Sequence, residues 1–481
     1  MIIRWPFPNQ LTQPSAIFRR LHNSAVGWSW FFNGLRLASG VLLLPLVLHK
    51  LPEAEFGMYY VFGTLIAIVP LVDFGFGPTI GRFISYAMGG AESIQAQGVA
   101  KPGKSGSPNY DLLWQLLFTT RKLYRYLTLV LLVVLGTWGT YMVELRIHET
   151  AAPNLIRLAW AATLLSTLFD IYANWWGTFI TNMNQVLPAV RIGVIAYFVR
   201  LTLTCVLLAS GVGLLSMPIG AFCGSLIQRT WARNKCLRLL AGHPPPQKID
   251  HKKLFAILWP NSWRLGVQFI SGYMTSNANV QICNYTMGLG FTAQYGLSVQ
   301  LMNVAVGMSA VWTSVKWPLV GQYLARHDNP GLRQILRPRV WLQALTVIVL
   351  ASGVILFGPV LVQWFGHGKQ MLPRGWLALL ALDAFLFMQF NLWTTLLSLQ
   401  NRLPYLWYAV GSNALSLVLS LTLIHFTSLG LGALVLGPLL AGSLFNYWYW
   451  PPFAVRSLGT SLFRFLFGGP RDSKADQAPT A

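Results

Sequence analysis

Seven ionisable side chains stand inside stretches otherwise built to avoid charge: Arg36, Asp73, Asp170, Arg200, Arg264, Lys316 and Asp383. A charge in hydrocarbon costs about 2.5–3.5 kcal/mol on insertion scales, so each requires a partner or a task. Their chemistry narrows the task. Guanidinium groups are planar, always charged and suited to bidentate contact with anions. A buried carboxylate without a cationic partner can carry a proton. The sequence offers no paired carboxylates, no nucleophile with its base and no metal cluster, so catalysis lacks its parts and no cofactor is expected. Cys205, Cys223, Cys236 and Cys283 show no C-x-x-C spacing and read as small buried hydrophobes.

The elements that carry these residues follow from composition. The 481 residues are 54% hydrophobic and 10% charged, with mean hydropathy +0.51. Soluble chains carry about 25% charged residues. A soluble enzyme, a disulfide scaffold and a disordered chain are excluded, and a multi-span membrane protein remains. The sequence predicts twelve spans: Trp28–Leu48, Gly57–Ile80, Tyr126–Val143, Leu155–Phe179, Ile192–Ser210, Leu214–Ile227, Leu258–Tyr285, Ala293–Trp317, Trp341–Val362, Trp376–Leu397, Tyr405–Phe426 and Leu429–Trp450. The sixth is the shortest.

Net charge is +22. Its distribution makes it a topology signal rather than a nucleic-acid footprint, so no nucleic acid is expected as a partner. Of 35 lysines and arginines, 26 fall in the tails and in the loops after even-numbered spans, five on the opposite side (Arg157, at the very start of span four, among them), and four inside spans. The positive-inside rule then places both termini in the cytoplasm. Met1–Asn23 is polar, so no removable signal is expected there, and the residues from Gly469 onward are polar. Trp28, Trp30, Trp376 and Trp450 suit an interfacial belt, and Leu462–Phe467 with Arg464 has the look of a surface helix.

An internal repeat relates span n to span n+6. Asn174, Trp176, Thr178 and Asn184 recur at identical spacing as Asn391, Trp393, Thr395 and Asn401. Asn33, Arg36 and Leu37 face Asn261, Arg264 and Leu265, and Gly81–Ser85 faces Gly321–Ala325. An offset of six preserves orientation, so the repeat is parallel. It predicts an all-α polytopic protein of about twelve transmembrane helices in two six-helix lobes. The divisions are a tail (1–27), an N-lobe (28–228), a basic loop (229–257), a C-lobe (258–450) and a second tail (451–481).

Leu48–Ser85 carries E-F-G-x-Y, D-F-G and G-R-x-x-S motifs. This stretch resembles the first two helices of Wzx-like polysaccharide flippases of the MOP (multidrug/oligosaccharidyl-lipid/polysaccharide) exporter superfamily. Leu258–Gly266 and Phe291–Leu301 are similar to the start of that family's second lobe. The resemblance implies a MATE-like fold in a bacterial inner membrane. It also implies translocation of undecaprenyl-diphosphate-linked oligosaccharide through a cavity between the lobes, with a polymerase and assembly proteins as further partners. A drug antiporter of the same superfamily and a non-transporting or polymerising component of a polysaccharide assembly complex are the alternatives.

On this reading, Arg36 and Arg264 converge from pseudo-symmetric positions on the lipid diphosphate, with Lys316 adding field near the cytoplasmic mouth. Asn33, Asn261, Gln268, Asn277, Asn279 and Gln300 line a wet, sugar-compatible cavity. Depth matching offers Arg36–Asp73 and Asp170–Arg200 as ion pairs: Arg36 and Asp73 both lie about 12 Å from the cytoplasmic surface at 1.5 Å per residue. Asp383 has no basic residue at its depth, so Asp383 or Asp73 is the candidate for coupling to a cation gradient.

Overall fold

The computed structural model describes residues 25–92, 107–246, 249–314, 316–325, 328–365, 368–399 and 404–468. The described residues form helices and turns, with no strand among them. All twelve predicted segments fall on helix. Seven stretches among the described residues are long and apolar enough to cross a membrane: Glu53–Asp73, Tyr110–Glu144, Pro153–Asn182, Val186–Ala209, Asn329–Trp364, Arg374–Leu399 and Leu406–Phe426.

Packing divides the chain into two units. The first holds Met1–Leu46, Val72–Trp138 and Asn154–Gly266. Its helices are most of α1 (Ala25–Lys50), the end of α3 (Val69–Asp73), α4 (Phe76–Met88) and α5 (Tyr110–Val134, continued by a π-turn at Leu135–Gly139). To these it adds α7 (Pro153–Asn182), α8 (Val186–Ala209), α9 (Ser216–Leu240) and the first part of α10 (His251–Ser276). The second holds Val47–Leu71, Gly139–Pro153 and Val267–Ala481. It contains α2 (Glu53–Ile66), α6 (Thr140–Glu144), α11 (Ala278–Met287), α12 (Leu289–Ser314), α13 (Trp317–Ala325), α14 (Asn329–Phe365), α15 (Arg374–Leu399), α16 (Leu406–Phe426), α17 (Gly432–Leu444), α18 (Asn446–Arg456) and α19 (Leu462–Phe467).

Several helices outrun the apolar segments that predict them. α5 starts at Tyr110, not Tyr126, because Arg121, Lys122 and Arg125 lower hydropathy but are good helix formers. Asn109 caps it, accepting the Leu112 N–H at 3.0 Å. α9 continues to Leu240, well beyond the predicted end at Ile227.

Other spans are interrupted. The second breaks at Ala67–Ile68 and again at Phe74–Gly75, where φ is 49° at Phe74 and 77° at Gly75. The left-handed conformation explains the glycine of D-F-G. The seventh breaks at Asn277, and the twelfth at Phe445. Broken membrane helices persist only where neighbouring groups satisfy the freed backbone.

Core packing in the second unit centres on Trp393, Trp450 and Phe465, with Leu332, Leu336, Leu396 and Leu397 around them. Trp393, one of the repeat residues, is 2% exposed and is therefore core.

Candidate functional site

A cavity of about 590 Å³ lies wholly within the first unit, among α1, the end of α3, α4, α7, α8 and α9. Its charged wall residues are Asp73 and Arg229. Asn174, Asn182 and Gln228 contribute amides, Thr178 and Thr181 hydroxyls, and Phe32 an aromatic face. Four glycines (Gly77, Gly81, Gly177 and Gly193) bring bare backbone to the surface. Pro78, Ile180, Val190 and Ile192 complete the wall, so the lining is mixed, with polar groups set among apolar ones.

Asp73 precedes the helix break, so its carboxylate sits at the start of α4. Gly77 donates its N–H to Oδ2 at 3.1 Å, one of the free amides that begin any helix. Tyr124 on α5 donates its hydroxyl to Oδ1 at 2.5 Å. The matched-depth pairing with Arg36 is thus replaced by neutral donors that the sequence reading did not weigh.

Asp170 is paired differently as well. Its partner is Arg229, not Arg200. Arg229 donates from Nη2 at 2.7 Å and Nε at 3.2 Å, and Ser225 adds its hydroxyl at 2.8 Å. Ser225 and Arg229 stand four residues apart on one face of α9. The apolar count ended this helix before Arg229 and assigned it to a loop. Arg200 is exposed.

The G-R-x-x-S motif ends at this cavity. Ser85 donates to the Asn182 carboxamide at 3.1 Å. Gly81 faces the same asparagine, where a β-carbon would meet the amide nitrogen at 2.8 Å.

Arg36 and Arg264 are both exposed on their helices. Each lies over an aromatic ring of its own helix, Arg36 5.9 Å from the Phe32 centroid and Arg264 5.8 Å from that of Trp263. Among the described residues neither enters an ion pair. Lys316 is half-buried in the turn after α12.

The amides divide. The side chains of Asn33, Asn261 and Gln268 lie outside those described. Asn277 is half-buried at the break before α11. Asn279 is 4% exposed and donates to the Leu434 carbonyl at 3.1 Å, so it is buried between helices rather than lining a cavity. Gln300 accepts the Tyr60 hydroxyl at 2.7 Å. Gln281 bonds Thr64, and Asn284 bonds the Met142 carbonyl at 3.1 Å. These amides tie helices of the second unit together, because a buried amide without a partner is costly.

Asp383 on α15 accepts the Tyr447 hydroxyl at 2.7 Å. Each unit therefore holds one aspartate bonded to a tyrosine. Cys236 and Cys283 are buried, and Cys205 and Cys223 partly so. Burial pushes the Cys236 thiol up to about 12, which makes it inert at neutral pH.

No protein-family model matches the sequence, and no curated protein matches it. Solved structures do. An inward-facing multidrug-resistance MATE transporter of the MOP superfamily superposes with TM-score 0.65 at 12% identity, over 88% of this chain and 94% of that one. An outward-facing one gives 0.55 at 13%, over 96% and 99%. A MOP superfamily transporter from Pyrococcus furiosus, whose reversed binding-pocket polarity suggests a different function, gives 0.54 at 15%, over 93% and 96%. At such identities the likeness is one of fold: a multi-pass, all-helical, MATE-like membrane architecture. It is also the fold of the superfamily that the Leu48–Ser85 motifs resemble.

Proposed function

We propose that the chain is a flippase. It moves undecaprenyl-diphosphate-linked oligosaccharide from the cytoplasmic to the periplasmic leaflet of a bacterial inner membrane by alternating access. The product would feed O-antigen, capsule or exopolysaccharide synthesis, with a polymerase and assembly proteins acting downstream. Twelve crossings with both termini cytoplasmic belong to this reading, as do lobes at 28–228 and 258–450. The observation that carries it is the pair Arg36 and Arg264, exposed, repeat-related and without an ion pair among the described residues. An exposed guanidinium in an apolar helix is costly unless an anion meets it, and a diphosphate offers two or more charges in bidentate geometry. Lys316 adds positive field. Asp73 or Asp383 couples transport to a cation gradient.

Multidrug antiport is the second reading. The fold is equally consistent with it, and the Asp73 carboxylate in the cavity wall would suit a cationic drug. Deleting the gene and locating the lipid-linked sugars separates the two. Complete oligosaccharide-lipid held in the cytoplasmic leaflet, restored to the outer leaflet by the wild-type gene but not by Arg36→Ala or Arg264→Ala, supports the flippase. Normal surface glycan with increased drug sensitivity supports the antiporter.

A further inference from the structure

The second unit closes with a short strap. α19 lies across the start of α14 and is fastened there by its own carbonyls. Arg337 donates from Nε to the Leu466 carbonyl at 2.8 Å and from Nη1 to that of Gly468. Trp341 donates its indole N–H to Leu466 at 3.2 Å, and Arg333 donates to the Arg464 carbonyl. These bonds satisfy groups that a helix end leaves free. On the inner face, Phe465 is fully buried, edge-on to Trp393 at 5.5 Å.

The outer face is the reverse. Phe463 is 73% exposed, Phe467 55% and Trp341 46%. Their rings touch one another, Phe463–Phe467 at 5.1 Å and Trp341–Phe467 at 5.3 Å, forming one aromatic ledge. The ledge continues the exposed apolar stripe of α14, where Trp341, Leu345, Ile348 and Val349 recur at helical spacing. That stripe is what lipid covers on a membrane-crossing helix, and the ledge stands where it stops. Past this point the charge turns positive. Asn329–Trp341 and Arg456–Gly468 together contain Arg333, Arg337, Arg339, Arg456 and Arg464 and no aspartate or glutamate. The side chains of Arg456 and Arg464 are exposed.

We propose that α19 and the first turns of α14 form a docking surface for anionic phospholipid. Phe463, Phe467 and Trp341 enter the acyl–glycerol boundary, and Arg464 and Arg456 meet the headgroup phosphates. Apolar rings beside fixed positive charge complement a lipid surface of that composition. A protein partner or a second copy would cover the rings but would not select among lipid headgroups.

The test uses the full chain in lipid nanodiscs, with Cys205→Ala and Cys223→Ala and an environment-sensitive dye on Phe463→Cys. The lipid is an equal mixture of phosphatidylglycerol and phosphatidylcholine, with bromine on the chains of one or the other. Quenching is expected to favour brominated phosphatidylglycerol. Arg464→Gln should lower that preference about fivefold, the roughly 1 kcal/mol that one basic residue contributes at an anionic surface. Arg464 itself contributes only its backbone carbonyl to fastening the strap, so this variant keeps the bonds that hold α19 to α14. Equal quenching by the two lipids would overturn the proposal. So would a dye that stays water-exposed, or one whose emission shifts blue with protein concentration while remaining unquenched, which would identify a second copy as the occupant.

Discussion

Arg229 meets the Asp170 carboxylate at 2.7 Å, and the two partners are buried unequally: side-chain exposure is 9% for the arginine and 41% for the aspartate. Removing either partner therefore has a different cost. Asp170→Asn strands a buried cation, whereas Arg229→Gln leaves a half-solvated anion that still holds Ser225. Asp170→Asn is expected to cost about 1.5–3 kcal/mol, the range for hydrogen bonds to charged groups, and Arg229→Gln less. Thermal unfolding midpoints of the two variants in one detergent give the order. Equal losses would mean that the pair carries no asymmetry.

Lys369 is a buried cation of the second unit. Its ammonium donates to the carbonyls of Leu48 and Leu51, the latter at 2.6 Å, and lies 5.4 Å from the Phe56 ring centroid. Burial pushes its pKa below the ordinary 10.5, with Glu53 partly offsetting the fall. The folded chain thus releases this proton before the unfolded chain does. Between the depressed value and 10.5 the unfolded state binds more protons, so this group makes stability rise with pH across that window. Below the window the full burial penalty applies. Lys369→Met should abolish that component of the slope. At neutral pH it should also cost about 1–3 kcal/mol, because the two carbonyls lose their donor. Unfolding midpoints followed from pH 8 upward for both proteins provide the check, and parallel curves would refute the assignment.

What the sequence could show depended on periodicity and charge depth. Each of the seven stretches that are long and apolar enough to cross a membrane, among the described residues, overlaps an apolar run of the sequence, because burial in lipid imposes length and hydropathy together. Those runs could not show where helices continue into water. Hydropathy places Arg229 in a loop for that reason, although it sits four residues from Ser225 on a continuous α9. Depth matching paired charge with charge, since only charge is scarce enough in a span to stand out. Tyr124 and Tyr447 are two of 17 tyrosines, and nothing local distinguishes them as partners of Asp73 and Asp383. Composition does not reveal which face of a helix meets its neighbours, so it cannot distinguish a lining amide from Asn279, which is buried between helices. The cavity of the first unit draws its wall from six helices, and of its residues only Asp73 stands out in the sequence as a site.

The glycine of E-F-G-x-Y has a packing reason that a substitution can expose. A β-carbon on Gly57 would collide with the Leu289 carbonyl oxygen, while one on Gly63, in the same helix, would meet nothing within 4 Å. Gly57→Ala should therefore destabilise by about 1–3 kcal/mol through overpacking. Gly63→Ala should be neutral or stabilise by up to about 1 kcal/mol through helix propensity. Paired denaturation of the two variants isolates the contact from the general effect of replacing glycine. A Gly57→Ala protein as stable as Gly63→Ala would show that α2 and α12 can part without cost.

If the chain is the transporter proposed above, the two aspartate–tyrosine pairs make cation coupling testable in each unit separately. A tyrosine hydroxyl can donate to a carboxylate or accept from a carboxylic acid, so Tyr124 and Tyr447 can stay bonded through a protonation change at Asp73 or Asp383. Asparagine keeps the shape and the carbonyl acceptor but cannot gain or lose a proton at working pH. If Asp383 is the coupling group, Asp383→Asn leaves the protein folded while its flux in proteoliposomes no longer responds to an imposed proton gradient. Asp73→Asn would then retain the response. The reverse pattern would assign the role to Asp73 and to the cavity of the first unit. Gradient-dependent flux that survives intact in both variants would remove coupling from these carboxylates altogether. Tyr447→Phe distinguishes positioning from chemistry: losing only the hydroxyl should shift the pH at which flux is half-maximal without abolishing the gradient response.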